Sequence, residues 1–96
     1  MFASMIEIQI KSGKMAEAIK RFEDRESEIK QLGCNQAMLI DKGNDQAIVL
    51  AIYDTEEAQQ AATPLATKIL SGLALLYAKM PERVGVNLPI NWTFND

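Results

Sequence analysis

Apolar and polar residues alternate without a break at the end of this chain. Val84, Val86, Leu88, Ile90, Trp92 and Phe94 share one parity, and Gly85, Asn87, Pro89, Asn91 and Thr93 share the other. Successive side chains of an extended strand point to opposite faces, so the run predicts a last strand with one continuous apolar stripe. At roughly 3.3 Å per residue it spans about 36 Å, more than any other candidate strand, so part of it is expected to overhang its own sheet. A row of Leu, Ile, Trp and Phe left overhanging needs a partner to cover it.

The same reading gives the other elements. Ile6, Ile8 and Ile10 alternate with Glu7, Gln9 and Lys11, a first strand with one buried face, broken at Ser12-Gly13. Met15, Ala18, Ile19, Phe22, Ile29 and Leu32 then recur at helical spacing up to Gly33, a natural stop because glycine accepts the left-handed conformation. Two strands, Asn35 to Asp41 and Gln46 to Tyr53, are joined by Lys42-Gly43-Asn44-Asp45, which predicts a tight hairpin. Both are apolar on both faces, unlike strands with one wet side. Asp54 stands three before Glu57 in a capping-box-like start to a helix. Thr63-Pro64 punctuates that region and opens a second helix, expected to run through Leu65, Ile69, Leu70, Leu73, Leu75, Leu76 and Tyr77 to Met80, where Pro81 ends it.

Strand, helix, strand, strand, helix, strand, with no repeat or linker, is the ferredoxin-like βαββαβ order: an α+β domain over 1–96 with an antiparallel sheet and helices on one face. Helices on one face leave doubly apolar strands half uncovered. Two copies pairing their sheets as a C2 homodimer, through the sheet face and the C-terminal strand, are the expected remedy.

Composition narrows the function. The 96 residues are 48% hydrophobic and 24% charged with a net charge of −3, ordinary globular values without a basic patch, so no nucleic-acid partner is expected. The longest uncharged stretch of the apolar C-terminal half, Ile69 to Ala78, is too short to cross a bilayer, and the first ten residues lack a secretion-signal pattern. With one cysteine, Cys34, and no intrachain disulfide to form, a cytoplasmic protein is expected. There is no Cys/His set for zinc and no glycine-rich phosphate loop, so neither a metal nor a cofactor is expected.

Lys11-Ser12-Gly13-Lys14 entering the first helix, Leu32-Gly33-Cys34 leaving it, Ile52 to Ala58 entering the second, Thr63-Pro64 and the long last strand together resemble the dimeric α+β barrel proteins related to antibiotic biosynthesis monooxygenases. The resemblance covers about Met5 to Phe94. It implies a dimeric α+β barrel with a ligand cleft between helices and sheet, and an activity from cofactor-independent oxygenation of phenolic polycyclic substrates to haem degradation. This chain departs from that pattern in having no histidine, which disfavours haem chemistry, and in carrying its one tryptophan on the last strand rather than on a helix.

Trp92, Tyr77 and Tyr53 are the residues assigned to lining that cleft: the indole to stack a flat ligand, the phenols to donate to a phenolate oxygen. The competing reading makes Trp92 an interface anchor and the tyrosines rim residues of the core. Arg83 reads as a solvated residue at the head of the last strand, with an anionic substrate as its alternative partner. Cys34 has no basic neighbour to activate it. Two functions remain: an oxygenase or binding protein for a small apolar or aromatic ligand, or a non-catalytic dimeric module whose apolar surfaces serve assembly.

Overall fold

The computed structural model describes residues 1–94, so the expected span of 1–96 includes two residues outside the described ones. The elements are β1 (Phe2–Gln9), α1 (Met15–Glu23), α2 (Glu26–Lys30), β2 (Gln36–Gly43), β3 (Gln46–Tyr53), α3 (Glu56–Ala61), α4 (Thr63–Ser71), a 3₁₀ turn (Ala74–Leu76) and β4 (Glu82–Asn87). The strands form one antiparallel sheet in the order β2-β3-β1-β4, the ferredoxin-like arrangement.

Register assigns each face of that sheet. Phe2, Ser4, Ile6 and Ile8 of β1 stand opposite Tyr53, Ala51, Val49 and Ala47 of β3. This parity faces the helices: Ile6, Ile8, Ile10 and Ala47 are buried with Ala18, Leu70, Leu73 and Leu76 in the main core cluster. A smaller cluster joins Ala51, Tyr53 and Ala62 to Leu32, Cys34 and Ala58. The other parity carries Met38, Leu50, Met5 and Val84 in one row across all four strands. The doubly apolar reading of β3 thus holds, and among the described residues no helix covers its second face.

Five expectations are corrected. The first helix is two, α1 and α2, broken at Asp24-Arg25. The backbone tightens there, with Arg25 N–H donating to Phe22 O at 3.1 Å, and Arg25 then pairs with Glu28 at 3.1 Å. Thr55, not Asp54, caps α3, its hydroxyl accepting from Ala58 N–H at 3.1 Å. Asp54 accepts from the side chain of Asn35 at 2.8 Å instead, so Asn35 is a turn-bracing residue. Thr63 lies inside α4, whose cap is Ala62. That helix stops at Ser71, before Gly72, rather than reaching Met80. Glycine weakens a helix, and beyond it the chain pairs with the end of β1: Lys11 N–H donates to Leu76 O at 2.9 Å and Ala78 N–H to Gln9 O at 2.8 Å.

The fifth correction concerns the last strand. It ends at Asn87, opposite Phe2, where β1 itself begins. Leu88 N–H still donates to Met1 O at 3.0 Å, but farther on this chain offers no strand to pair with, and Pro89 has no N–H to give. The overhang is real although the strand is short: Ile90, Trp92 and Phe94 are 62%, 73% and 84% exposed. At the hairpin, Asn44 and Asp45 both take positive φ (54° and 60°), the two-residue turn that suits the twist of flanking strands.

Candidate functional site

A cleft of about 390 Å³ lies between the helices and the sheet. Its floor is the helix-facing parity of the sheet, with Ser4, Ile6, Val49, Ala51 and Tyr53. Its roof is Ile19 and Phe22 of α1, Ile29 of α2, and Ala66, Ile69 and Leu70 of α4, with Glu23 and Glu26 also lining it where α1 gives way to α2. The walls are mostly apolar because the helical stripe and the strand stripe face each other here. The cleft reaches the edge strand β2 through Ala37, Leu39 and Asp41, where the helical layer gives little cover.

Arg83 lines the opposite, β4 side, and it is not a solvated head-of-strand residue. It stands opposite Ile6, on the helix-facing parity, and its guanidinium is held at three points. Nη1 donates to the Thr63 hydroxyl at 2.8 Å, and Nη2 donates to the Gln59 carbonyl at 2.9 Å and the Tyr53 hydroxyl at 3.4 Å. Gly85, two residues on, leaves room for the buried Gln59 side chain against β4. The alternation of the last strand carried this signal, since Arg83 has the parity opposite to Val84.

The three residues assigned to the cleft are dispersed. Tyr53 is fully buried in its wall beside Arg83. Trp92 lies on the exposed terminal segment, edge-on to Phe94 with ring centroids 6.1 Å apart, away from the cleft of its own chain. Tyr77 is buried in the main core and does not line the cleft. Its hydroxyl has no hydrogen-bond partner. Burial pushes this phenol up to about 12, while the Arg25 guanidinium acts in the opposite sense. Cys34 packs in the smaller cluster outside the cleft, and burial pushes its thiol up, which makes it a poor nucleophile.

Tyr77 gives a test of this burial. Tyr77→Phe removes a buried polar atom without a partner and is expected to raise the unfolding free energy by about 1 kcal/mol. The folded phenol holds its proton more tightly than the unfolded one. Its contribution is therefore complete below the ordinary value of 10.0 and is lost as pH rises through about 12. Denaturant titrations across that window should show the alkaline loss in wild type and a flatter limb in the phenylalanine variant. Equal slopes would mean the hydroxyl is solvated.

Over residues 1–64 the sequence matches the family described as antibiotic biosynthesis monooxygenase. The chain belongs to the antibiotic biosynthesis monooxygenase family. No curated protein matches it. Among solved structures, a protein of unknown function from Nitrosomonas europaea superposes with a TM-score of 0.79 at 16% identity, covering 99% of this chain and 95% of its own. A mutant of MhuD holding two manganese protoporphyrin IX molecules per active site gives 0.77 at 17% identity, covering 98% of this chain and 100% of its own. A further antibiotic biosynthesis monooxygenase gives 0.70 at 11% identity, with 92% and 98% covered. At such identities the likeness is one of fold.

The donor set of this family member does not fit a haem. The chain has no histidine, Cys34 lies outside the cleft, and the Tyr53 hydroxyl is turned to Arg83. Among the described residues, no helix is long and apolar enough to cross a membrane.

Proposed function

We propose that the cleft binds a small, flat, largely apolar aromatic ligand and that the chain oxygenates it without a cofactor. The observation that carries this reading is the cleft itself: about 390 Å³ and mostly apolar, with Tyr53 and Arg83 supplying hydrogen-bonding groups at one end. Such a pocket orients a polycyclic body and excludes water from it. An ionised phenolic substrate gives one electron to O₂, forming a carbon radical and superoxide. The pair combine at the ring carbon, and loss of water from the hydroperoxide leaves a carbonyl. One CH₂ and one O₂ thus become one C=O and one H₂O.

The working unit in this proposal is a cytoplasmic homodimer. The row of Met38, Leu50, Met5 and Val84 and the exposed Ile90, Trp92 and Phe94 support it, since a second sheet would cover both. The same surfaces favour the second reading, a non-catalytic module whose apolar faces serve assembly alone.

Oxygen uptake with a panel of anthrones and polyphenols separates the two. The oxygenase reading expects one O₂ consumed per carbonyl formed, and roughly a fivefold lower rate for Tyr53→Phe, which lacks the hydroxyl beside Arg83. Absence of both turnover and ligand-induced thermal stabilisation across the panel would leave the assembly module as the function.

A further inference from the structure

We propose that the ligand of the cleft carries one ionised oxygen group, phenolate or carboxylate, and that Arg83 is the residue that binds it. The inference rests on the cleft being a ligand site and adds the residue that holds the ligand's charged oxygen.

Arg83 is a partly buried cation lining a mostly apolar cleft, and every contact holding it is neutral: the Thr63 hydroxyl, the Gln59 carbonyl and the Tyr53 hydroxyl. The ion pairs among the described residues join Arg21 to Glu17, Arg25 to Glu28 and Lys30 to Glu26, so no carboxylate answers Arg83. A charge withdrawn from water without a counter-charge is costly, and an oxyanion arriving beside it removes that cost. A guanidinium has five N–H donors, and these contacts use three of them, which leaves two for a ligand oxygen. The neutral contacts also fix the fork before the ligand arrives, so little side-chain freedom is lost on binding.

The cleft is polar along its length. Among the described residues its one lining cation is Arg83, on β4 at one edge of the sheet; the lining carboxylates are Asp41 on β2 at the other edge and Glu23 and Glu26 where α1 gives way to α2. An anionic ligand is therefore drawn to the β4 end and turned away from the β2 end, with its apolar body against Val49, Phe22 and Ile69 between them. The pairing of a fork-shaped cation with a flat oxyanion is strong and directional.

Calorimetric titration of the full chain with 2-naphthoate, 2-naphthamide and 2-naphthol tests this. The naphthoate is expected to bind roughly tenfold or more tightly than its neutral amide, and Arg83→Gln to erase that difference. Arg83→Lys, which keeps the charge and loses the fork, is expected to keep part of it. Naphthol whose affinity rises as it ionises, above that of the naphthoate, would assign the physiological group as phenolate; the reverse order would assign carboxylate. Arg83 also braces Tyr53 and Gln59, so the wild-type comparison of acid with amide decides the matter even where a variant fails to fold. Equal affinity of acid and amide for wild type would overturn the anchor and leave the cleft as a ligand site. Failure of all three to bind would overturn the anchor together with the reading it rests on.

Discussion

Leu50→Asp is expected to convert a dimer into lone subunits or insoluble protein. Leu50 sits on the face of the sheet that no helix covers, opposite Met5 on one side and Met38 on the other, and Met5 in turn stands opposite Val84. Met38 and Val84 are 38% and 44% exposed, so the row is open toward its edges. In a C2 interface built on that face, each substitution is met twice about the axis. A carboxylate there loses hydration without gaining a partner, at a cost of at least about 2 kcal/mol per subunit. Two of them weaken dimerisation by roughly a thousandfold. Sedimentation velocity across a dilution series reads the change directly. A variant that dimerises with wild-type affinity would move the contact elsewhere, and a wild type that stays a lone subunit would remove the dimer altogether.

Much of the fold was legible because the pattern and the packing agree. The Asn44-Asp45 turn survives into the structure because it is local, and the alternation of Ile6, Ile8 and Ile10 survives because neighbours on both sides hold that stretch extended. The misjudged elements are those that distant partners decide. Leu73, Leu76 and Tyr77 have helical spacing, yet the backbone of 76–78 finds better partners at Gln9 and Lys11 of the first strand's end than in a helix beyond Gly72. The last strand reads as eleven residues of perfect alternation, but strand length is set by what lies alongside, and β1 begins at Phe2. Periodicity states which face a side chain takes; it does not state where the neighbour stops.

The site was legible to a lesser degree for the same reason. Tyr53 lies in the cleft wall, while Tyr77 sits in the core and Trp92 on the exposed terminal segment, because a core, a rim and a ligand-lining aromatic look alike in sequence. Arg83 carried a readable sign, a cation on the parity that faces the helices. Its hydrogen bonds to residues 20, 24 and 30 positions away were not readable, because they depend on where α3 and α4 rest on the sheet.

Gly85→Ala is expected to be the most costly single-methyl change in the chain, at about 1–3 kcal/mol of unfolding free energy. The reason is steric rather than conformational. A β-carbon there would stand 2.8 Å from Cε2 of Phe2 and 3.1 and 3.2 Å from the side-chain oxygen and nitrogen of Gln59. Gln59 is itself buried, so the amide cannot swing into solvent, and its backbone carbonyl holds Arg83. Relief of the clash therefore disturbs either the Phe2 ring at the start of β1 or the support of the cation in the cleft. Gly72→Ala is the matched control. Its β-carbon meets the movable end of Arg25 at 3.1 Å, and the backbone there is already helical with φ at −66°. Urea midpoints for the two variants should fall in that order, with Gly85→Ala well below wild type and Gly72→Ala close to it. A Gly85→Ala protein as stable as wild type would show that Phe2 and Gln59 yield freely, and Gly85 would then have no special part in shaping the Arg83 end of the cleft.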